Sequence, residues 1–306
     1  MAVVARPAWA GPLRFRLPSP ASTLPTVALE SSVLAQGLPI PENRQAAERM
    51  VRAVEAAGAT AAITAVVRGV PTVGLSGEDL ERFLRREGVR KVSARGLAAA
   101  IAGGFDGATT VAATLVLASR AGIEVFATGG IGGVHRDARY DESADLPELA
   151  RTSMVVVCAG AKSILDLQAT WERLETLGVP VVGYRTSELP GFFSAETGIA
   201  LDSCASSVDD VVAIWRAHRR LGRPQSLVVV QPPPAEHALS RAGVESAVRK
   251  AQKEAARDGV SGAAVTPYLL DAVSRQTNGG SLSANLALLE QNAKLAGEIA
   301  LRLGAR

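Results

Sequence analysis

The sequence predicts an α/β protein of three layers, α/β/α, with a mostly parallel central sheet. Short apolar runs rich in β-branched residues alternate with longer segments of helical periodicity, as in proteins built from β-α-β units. Hydrophobic residues make up 47% of the chain and aromatic residues only 4%, which suits a tightly packed core of aliphatic side chains. No internal repeat and no change in composition divides residues 26–306, so we expect a single domain there.

The first 25 residues are expected to form a disordered extension outside the domain. This segment is rich in proline and contains arginine but no acidic residue, a composition that resembles a transit peptide. Its prolines would break the amphipathic helix that a transit peptide needs. We therefore assign residues 1–25 to a disordered tail.

Strand and helix signals follow each other in the first half of the domain. The apolar run 26–29 predicts a strand. Segment 41–57 predicts a helix because proline begins it, Gly58 ends it and apolar residues recur on one face. Ser76, followed by two acids, is typical of a helix N-cap. The other predicted elements here are strands at 61–67, 72–75 and 125–128, an extended piece at 91–93, and helices at 77–84 and 111–121.

The second half of the domain repeats this alternation. The run 155–159 predicts a strand, and the helix predicted at 163–177 is ended by Gly178 and Pro180. The other predicted elements are helices at 146–152, 208–221, 244–258 and 282–303 and strands at 181–184 and 227–231, with 266–276 left unassigned.

Charge and composition exclude several classes of partner. The net charge is +3 with acids and bases interspersed, so the chain lacks the basic stripe that nucleic-acid binding requires. No apolar stretch reaches membrane-spanning length, and we expect a cytoplasmic protein without a membrane partner. Cys158 and Cys204 show no C-x-x-C spacing, so neither a disulfide framework nor a zinc site is predicted.

Lys162 is the most informative residue. It is one of only five lysines, and it stands where an apolar run turns into a predicted helix. The positive end of the helix dipole and the apolar neighbours both favour a neutral amine there. A neutral amine is a nucleophile toward carbonyl-like carbons, whereas arginine would be inert. The alternative interpretation is a solvent-facing lysine in the first turn of a helix.

Other polar residues also follow predicted strands, where α/β sheets bind ligands. Glu30 ends the first strand and is followed by two serines, which suits a general acid. It could equally be a capping or loop carboxylate. Thr128 and Thr186 hold comparable positions.

A possible anion site lies at 107–115, where Thr110 precedes a predicted helix and Lys91 lies upstream. An ordinary N-cap and a surface lysine would give the same letters. The nearby run 127–136 has the glycine spacing GGxGG rather than GxGxxG, which argues against dinucleotide binding. It is better interpreted as a flexible loop over a pocket.

Asp141, Glu142 and Asp145 crowd three carboxylates beside Ser143. Such a cluster needs a divalent cation or amide donors to balance its charge. Oxygen-only ligands favour magnesium or manganese over zinc. The alternative is a helix N-cap at Asp145 with the other acids in solvent.

Eight blocks in order resemble the pseudouridine-5′-phosphate glycosidase family, among them ALESS, GFDGATTVAAT, VFATGGIGGVHR, DESADLPELA, VVCAGAKS and SLSANLALLEQN. The resemblance covers the chain from about residue 26 to its end. It implies reversible cleavage of the carbon–carbon glycosidic bond of pseudouridine 5′-phosphate, giving uracil and ribose 5-phosphate. It also implies an α/β/α fold, a manganese requirement and a homotrimer.

The same resemblance assigns roles to individual residues. Lys162 matches the lysine that forms a Schiff base with the ring-opened ribose, and Glu30 matches the proton donor. Asp141 matches the ligand of one Mn²⁺ per subunit, held largely by water. The residues expected to contact the substrate are Lys91, Thr110, Val111, Ser143, Ala144, Asp145 and Asn285.

The chain departs from the family pattern at two places, and other functions stay open. Gly96 stands where the family commonly has aspartate, and the loop between His135 and Asp141 is shorter, with Asp137 in place of a glycine. A class I aldolase or lyase acting on a sugar phosphate would also need a strand-end lysine, an acid and a phosphate site. A non-catalytic nucleotide-binding module is the third possibility.

Overall fold

The computed structural model describes residues 24–136, 140–260 and 262–305. Within these ranges ten strands join one sheet. The strands are β1 (Thr26–Leu29), β2 (Thr60–Val67), β3 (Val70–Val73), β4 (Arg90–Val92), β5 (Gly107–Thr109), β6 (Val125–Ala127), β7 (Val155–Cys158), β8 (Val181–Tyr184), β9 (Cys204–Ala205) and β10 (Leu227–Val230).

Helices connect and cover these strands. The α-helices are α1 (Glu42–Ala56), α2 (Gly77–Leu84), α3 (Leu97–Ala102), α4 (Val111–Arg120), α5 (Asp145–Leu149), α6 (Leu167–Thr176), α7 (Val208–Arg220), α8 (Arg241–Arg257), α9 (Val265–Gln276) and α10 (Gly280–Gly304). A π-helical turn, Val33–Gly37, follows β1. None of the helices in the described ranges has the length and apolar character needed to cross a membrane.

The sheet runs in the order β4-β5-β2-β1-β6-β7-β10-β8-β9, and β3 pairs with β2 beside this path. Only two of the pairings in the described part of the chain, β2 with β3 and β2 with β5, are antiparallel. The mostly parallel sheet flanked by helices confirms the predicted fold class.

The central strands are buried because helices cover them. Every residue of β7 and β10 is buried, which explains their unbroken valine-rich sequences. Helix α10 packs on β1, β6 and β7, and α1 packs along α10. The two helices approach closely at Gly297, where an added Cβ would lie 2.7 Å from the Cβ of Ala57.

Several predicted boundaries differ from the structure. The helix predicted at 163–177 begins only at Leu167, because the Asp166 carboxylate accepts the Ala169 N–H (2.9 Å) and caps it there. The strand predicted at 72–75 is Val70–Val73 in the structure. Its Pro71 has no backbone N–H, so it has no donor that requires a partner. The unassigned stretch 266–276 is helix α9.

Two predictions fall largely outside the described residues. Residues 1–23 of the predicted extension lie outside them, while the Pro25 carbonyl accepts the Thr60 N–H (2.8 Å). Asp137, in the loop expected to be short, also lies outside.

Candidate active site

Three neighbouring parallel strands bring polar side chains to one edge of the sheet. Glu30 follows β1, Thr128 follows β6 and Lys162 lies just beyond β7. β1 pairs with β6, and β6 pairs with β7, in parallel register. Because the carboxyl ends of parallel strands share an edge, Glu30 and Lys162 reach the same cleft.

Two adjoining clefts open at this edge, with volumes of about 490 and 770 Å³ including space open to solvent. The first cleft is lined by Glu30, Val33, Gln36, Gly129, Gly130, Phe192, Pro267, Leu270 and Asn285. The second is lined by Ser93, Thr110, Gly132, His135, Asp141, Glu142, Ser143, Asp145, Ile164 and Leu165. Both are lined by Ser32, Lys91, Lys162 and Thr266.

The structure therefore gathers most of the predicted site residues. Glu30 and Asn285 line the first cleft, and Lys91 and Lys162 lie where the two clefts meet. Thr110, Asp141, Ser143 and Asp145 line the second cleft. Val111 is the first residue of α4, and Ala144 directly precedes α5. Neither of them lines the second cleft.

Glu30 is held firmly in the cleft wall. Its side chain is buried, with 3% of its surface exposed. One carboxylate oxygen accepts the Ser32 hydroxyl (2.6 Å) and the other accepts the Thr128 hydroxyl (2.5 Å). This geometry argues against the loop-carboxylate alternative, since a solvated loop residue would not be fixed by two buried hydroxyls.

Thr128 is itself fixed by the last helix. Its carbonyl accepts the amide Nδ2 of the fully buried Asn292 (2.9 Å), and Asn292 Oδ1 accepts Nε2 of Gln231 (2.9 Å). Helix α10 therefore supports the residue that orients Glu30.

Lys162 reaches the site by a different route from the one predicted. Because α6 begins at Leu167, Lys162 is not in a first helical turn, and the helix-dipole argument for it is wrong. Its N–H instead donates to the Ile131 carbonyl (3.1 Å), and its side chain is half-buried. Gly160 makes the turn before it with φ +89°, and an added Cβ there would lie 2.4 Å from the Pro190 carbonyl oxygen.

Lys91 projects from β4 into the junction of the clefts. Desolvation by the surrounding protein, together with the positive charge of Lys162, lowers the pKa of Lys91, while Glu30 and Asp145 act in the opposite direction. Lys91 retains substantial solvent exposure because the cleft is open. Two lysines near two carboxylates make the junction suited to an anionic, carbonyl-containing ligand.

Asp145 joins two parts of the site. Its buried carboxylate accepts the Ala112 N–H at the start of α4 (2.9 Å) and the Gly132 N–H (2.8 Å). Thr110 caps α4 by accepting the Ala113 N–H (3.5 Å). Since these two helix amides already have acceptors, the donors of the second cleft are side chains, among them Lys91, Lys162 and the hydroxyls of Ser93, Thr110 and Ser143.

The glycine-rich loop is not the flexible loop that the sequence suggested. Residues 129–133 are buried and closely packed. A Cβ on Gly130 would lie 2.7 Å from the Phe192 ring, and one on Gly132 would lie 2.2 Å from the Ser143 hydroxyl. The glycines are needed here for close approach, not for mobility.

The acidic cluster leaves one carboxylate facing the open cleft. Glu142 pairs with Arg173 (2.9 Å), and Asp145 accepts two amides. Asp141 is exposed and lines the second cleft. In the described ranges no group of three or more His, Cys, Asp or Glu could hold a metal. The donor set fits a metal held by one carboxylate and water, and not one enclosed by the protein.

Phe192 and Gln36 are among the residues of the first cleft that the sequence does not predict. Phe192 forms an apolar wall of this cleft, and its ring contacts the ring of Phe193 (4.5 Å between centroids). The backbone of Phe192 has a φ of +68°, which is strained for a bulky residue. Gln36 lies in the π-helical turn after Glu30. Its nearness to Glu30 in sequence was the one available signal.

Comparisons with known proteins identify the family of this chain. The family model described as Indigoidine synthase A like protein matches residues 19–302. A relative from Gemmatimonas aurantiaca named pseudouridine-5′-phosphate glycosidase is 64% identical over 277 residues, 90% of each chain. One of the same name from Herpetosiphon aurantiacus is 52% identical, over 91% of this chain and 93% of its own.

Two solved structures share the fold. An indigoidine synthase A-like protein from Thermotoga maritima superposes with a TM-score of 0.89 at 39% identity, covering 95% of this chain and 96% of its own. The prealnumycin C-glycosynthase AlnA, solved in complex with ribulose 5-phosphate, gives 0.87 at 38% identity, covering 95% and 97%. The resemblance seen in the sequence is thus confirmed, and the chain belongs to the family of Indigoidine synthase A like proteins, alongside relatives named pseudouridine-5′-phosphate glycosidase.

Proposed function

We propose that this protein cleaves the C-glycosidic bond of pseudouridine 5′-phosphate reversibly, giving uracil and ribose 5-phosphate. The observation that carries the proposal is the meeting of Glu30 and Lys162 in one cleft, with Lys91 and several hydroxyls in the adjoining cleft. The names of the relatives and the sugar phosphate in the AlnA complex support the same substrate class.

The chemistry requires a lysine because a C-glycoside has no leaving oxygen. Ordinary glycosidases use two carboxylates and protonate the oxygen of the departing group. In a C-glycoside the departing atom is carbon, and that route lacks a good leaving group. An amine bonded to C1′ supplies electrons that can form a C=N bond as the carbon–carbon bond breaks.

The proposed steps balance as follows. The Lys162 nitrogen bonds to C1′ while the C1′–O4′ bond breaks and Glu30 gives its proton to O4′. Glu30 then takes a proton from the resulting ammonium and delivers it to uracil C5. The nitrogen lone pair forms the C1′=N bond as the C1′–C5 bond breaks, and the electron pair of that bond stays with uracil, which leaves with the new proton on C5. Water adds to the iminium carbon and gives a proton back to Glu30, the C1′–N bond breaks, and ribose 5-phosphate leaves with the amine restored.

The two clefts suit the two ends of this substrate. The phosphate would lie in the second cleft near Lys91, Thr110 and Ser143, and the uracil would lie in the first cleft. The ribose would then span the junction, where Lys162 lies. Binding of the phosphate would position C1′ against the amine.

The central test is release of uracil, with borohydride trapping of the sugar on the enzyme. We expect Lys162→Ala to abolish both, because Lys91, the other lysine that lines both clefts, is proposed to bind the phosphate. Glu30→Gln should lower kcat by about 100- to 10,000-fold, the usual contribution of a general acid, with little change in binding. Lys250→Ala, at an exposed position in α8, serves as the matched control and should keep full activity.

An aldolase would give retro-aldol products, and a binding module would give no turnover. Peptide mapping of the reduced protein identifies the modified residue. An adduct on another lysine, or full turnover by Lys162→Ala, would contradict the covalent mechanism.

We also propose that Asp141 is the protein ligand of one Mn²⁺ per subunit, with water as the remaining ligands. A bound Mn²⁺ would help to neutralise the phosphate charge. Chelation should raise KM for the substrate, and Asp141→Asn should weaken Mn²⁺ binding measured by electron paramagnetic resonance. Unchanged Mn²⁺ affinity in Asp141→Asn would count against this ligand. We also propose that the protein forms a homotrimer. Light scattering of the protein as it elutes from a size-exclusion column gives its molar mass and tests this proposal.

A further inference from the structure

Four buried hydroxyls form a hydrogen-bonded cluster behind the candidate active site. They belong to Ser31, Thr64, Thr109 and Thr114, each of which has 0% of its surface exposed. The Oγ1 atom of Thr64 lies 2.8 Å from Oγ1 of Thr109 and 2.9 Å from Oγ1 of Thr114. The Ser31 hydroxyl lies 3.3 Å from Oγ1 of Thr109. The cluster therefore connects the end of β1 with β2, β5 and α4.

Thr64 is the member of the cluster that contacts the backbone beside the proposed proton donor. Its hydroxyl donates to the Leu29 carbonyl (3.1 Å). That carbonyl and the Glu30 N–H belong to one planar peptide group, so the bond fixes the plane from which Glu30 leaves the end of β1. The Glu30 carboxylate is held separately by the hydroxyls of Ser32 and Thr128. Thr64 thus holds the backbone of the residue whose side chain those two hydroxyls orient.

The cluster lies where the antiparallel pairing of β2 with β5 stops. The last backbone pair on this side is Ala65 with Ala108. At the next positions the strands are joined through side chains, since the Thr109 hydroxyl donates to the Thr64 carbonyl (2.8 Å). The Thr109 N–H donates in turn to the Ser31 hydroxyl oxygen (2.9 Å). Hydroxyls therefore hold β1, β2 and β5 together at the level of the candidate active site.

Packing alone does not require hydroxyls at these positions. Valine has nearly the same shape as threonine, and it would fill the aliphatic core without the cost of burying a polar group. Hydrogen bonds are directional, however, and a fully bonded buried network holds its members in one arrangement. The cluster therefore suits a part of the sheet that must keep one geometry.

We propose that Thr64 is a positioning residue for Glu30, acting through the Leu29 carbonyl with the support of the other three hydroxyls. This inference rests on the proposed function, in which Glu30 transfers protons to and from the substrate. Such a step is sensitive to displacement, because a shift of about 1 Å can lower a rate by about 100-fold. Thr64 lines neither cleft, so its effect on the reaction must pass through a residue that does.

The test measures kcat and KM for uracil release from pseudouridine 5′-phosphate. Thr64→Val removes the hydroxyl and keeps the shape, so we expect kcat to fall by about 10- to 100-fold. KM should change by less than about threefold, because Lys91 and Ser143, proposed to bind the phosphate, are untouched. Thr64→Ser keeps the hydroxyl and loses the methyl group, and its kcat should stay within about threefold of that of the unmodified enzyme.

Thr72→Val is the matched control for Thr64→Val. Thr72 is also fully buried, and its hydroxyl also donates to a carbonyl, that of Val70 (3.0 Å). It lies in β3 and lines neither cleft. Thr72→Val should therefore keep kcat within about threefold of that of the unmodified enzyme. Far-UV circular dichroism verifies that each variant is folded.

Ser31→Ala breaks the same cluster from the side of β1 and decides the question if Thr64→Val does not fold. It removes the acceptor of the Thr109 N–H and should also lower kcat more than it changes KM. Its control is Ser226→Ala, since Ser226 is fully buried and directly precedes β10, outside both clefts.

A double variant separates positioning from general damage to the fold. In the Glu30→Gln protein the proton donor is already lost, so a further displacement of that residue has little left to affect. Adding Thr64→Val to Glu30→Gln should therefore lower the residual kcat by less than about threefold. General damage would lower kcat by the same factor in both backgrounds.

The possible failures are distinguishable. If the unmodified enzyme releases no uracil, the proposed function fails and the positioning role fails with it. If uracil is released but Thr64→Val keeps its kcat, or if Thr64→Ser loses as much as Thr64→Val, the function stands and the positioning role is overturned. An equal loss from Thr64→Val in both backgrounds overturns it as well.

Discussion

At the scale of residues, the meeting of Lys91 and Lys162 has a consequence for pH dependence. The protein surroundings and the charge of Lys162 lower the pKa of Lys91 below its ordinary value of 10.5. Lys91 therefore loses its positive charge at a lower pH than a lysine in water. An anionic substrate that depends on this charge will be captured less well as pH rises.

We expect kcat/KM to fall as pH rises through the lowered pKa of Lys91, because kcat/KM reports ionisations of the free enzyme. Lys91→Arg should remove this alkaline decrease, since arginine stays protonated over the accessible range. The measurement is kcat/KM of both proteins across the alkaline range, with Lys250→Arg as the control. An alkaline decrease that is unchanged in Lys91→Arg would assign it to another group.

The sequence predicts which residues line the clefts better than it predicts the local structure that places them there. Glu30 and Lys162 could be predicted to lie at one edge of the sheet because each follows an apolar strand. This placement does not depend on where the neighbouring helices begin. The dipole argument for Lys162 failed because Asp166 delays the helix. Gln36 was missed because nothing in the sequence marks the π-helical turn that brings it to the first cleft.

At the scale of elements, the packing of α1 on α10 depends on Gly297. An alanine there would place its Cβ 2.7 Å from the Cβ of Ala57 and 3.1 Å from the Val54 carbonyl oxygen. These atoms belong to the backbone or are fixed to it, so the helices must separate.

Gly297→Ala should lower the free energy of unfolding by about 1–2 kcal/mol. Overpacking costs about 1–3 kcal/mol, and the better helix propensity of alanine returns up to about 1 kcal/mol. Denaturant unfolding measures the change. Gly304→Ala is the control, because its Cβ would meet nothing closer than 3.7 Å, and it should be neutral or stabilising. Equal effects of both substitutions would argue against close packing at Gly297.

The elements were predictable where periodicity was long and caps were clear, as for α1 and α7. Short strands such as β5, with 3 residues, and β9, with 2, gave no signal because so few residues show no periodicity. The sequence does not predict helix α9, although Pro267 is tolerated in a first helical turn.

At the scale of the whole molecule, the buried apolar residues form one cluster that runs from Val27 to Ala300. Because both ends of the described chain contribute to the same core, neither half can keep its packing when the other is lost. This supports the proposal of a single domain.

We therefore expect one cooperative unfolding transition in denaturant. Tryptophan fluorescence, to which the buried Trp215 contributes, should change at the same midpoint as the far-UV circular dichroism. Two separated midpoints would indicate parts that unfold independently and would contradict the single domain.

The hydrogen bond that Asn292 donates to the Thr128 carbonyl has a practical consequence. A load applied at the carboxyl end would act first on α10, and Asn292 connects that helix through Thr128 to the Glu30 carboxylate. A site remote from that helix is therefore the better place to attach the protein to a surface.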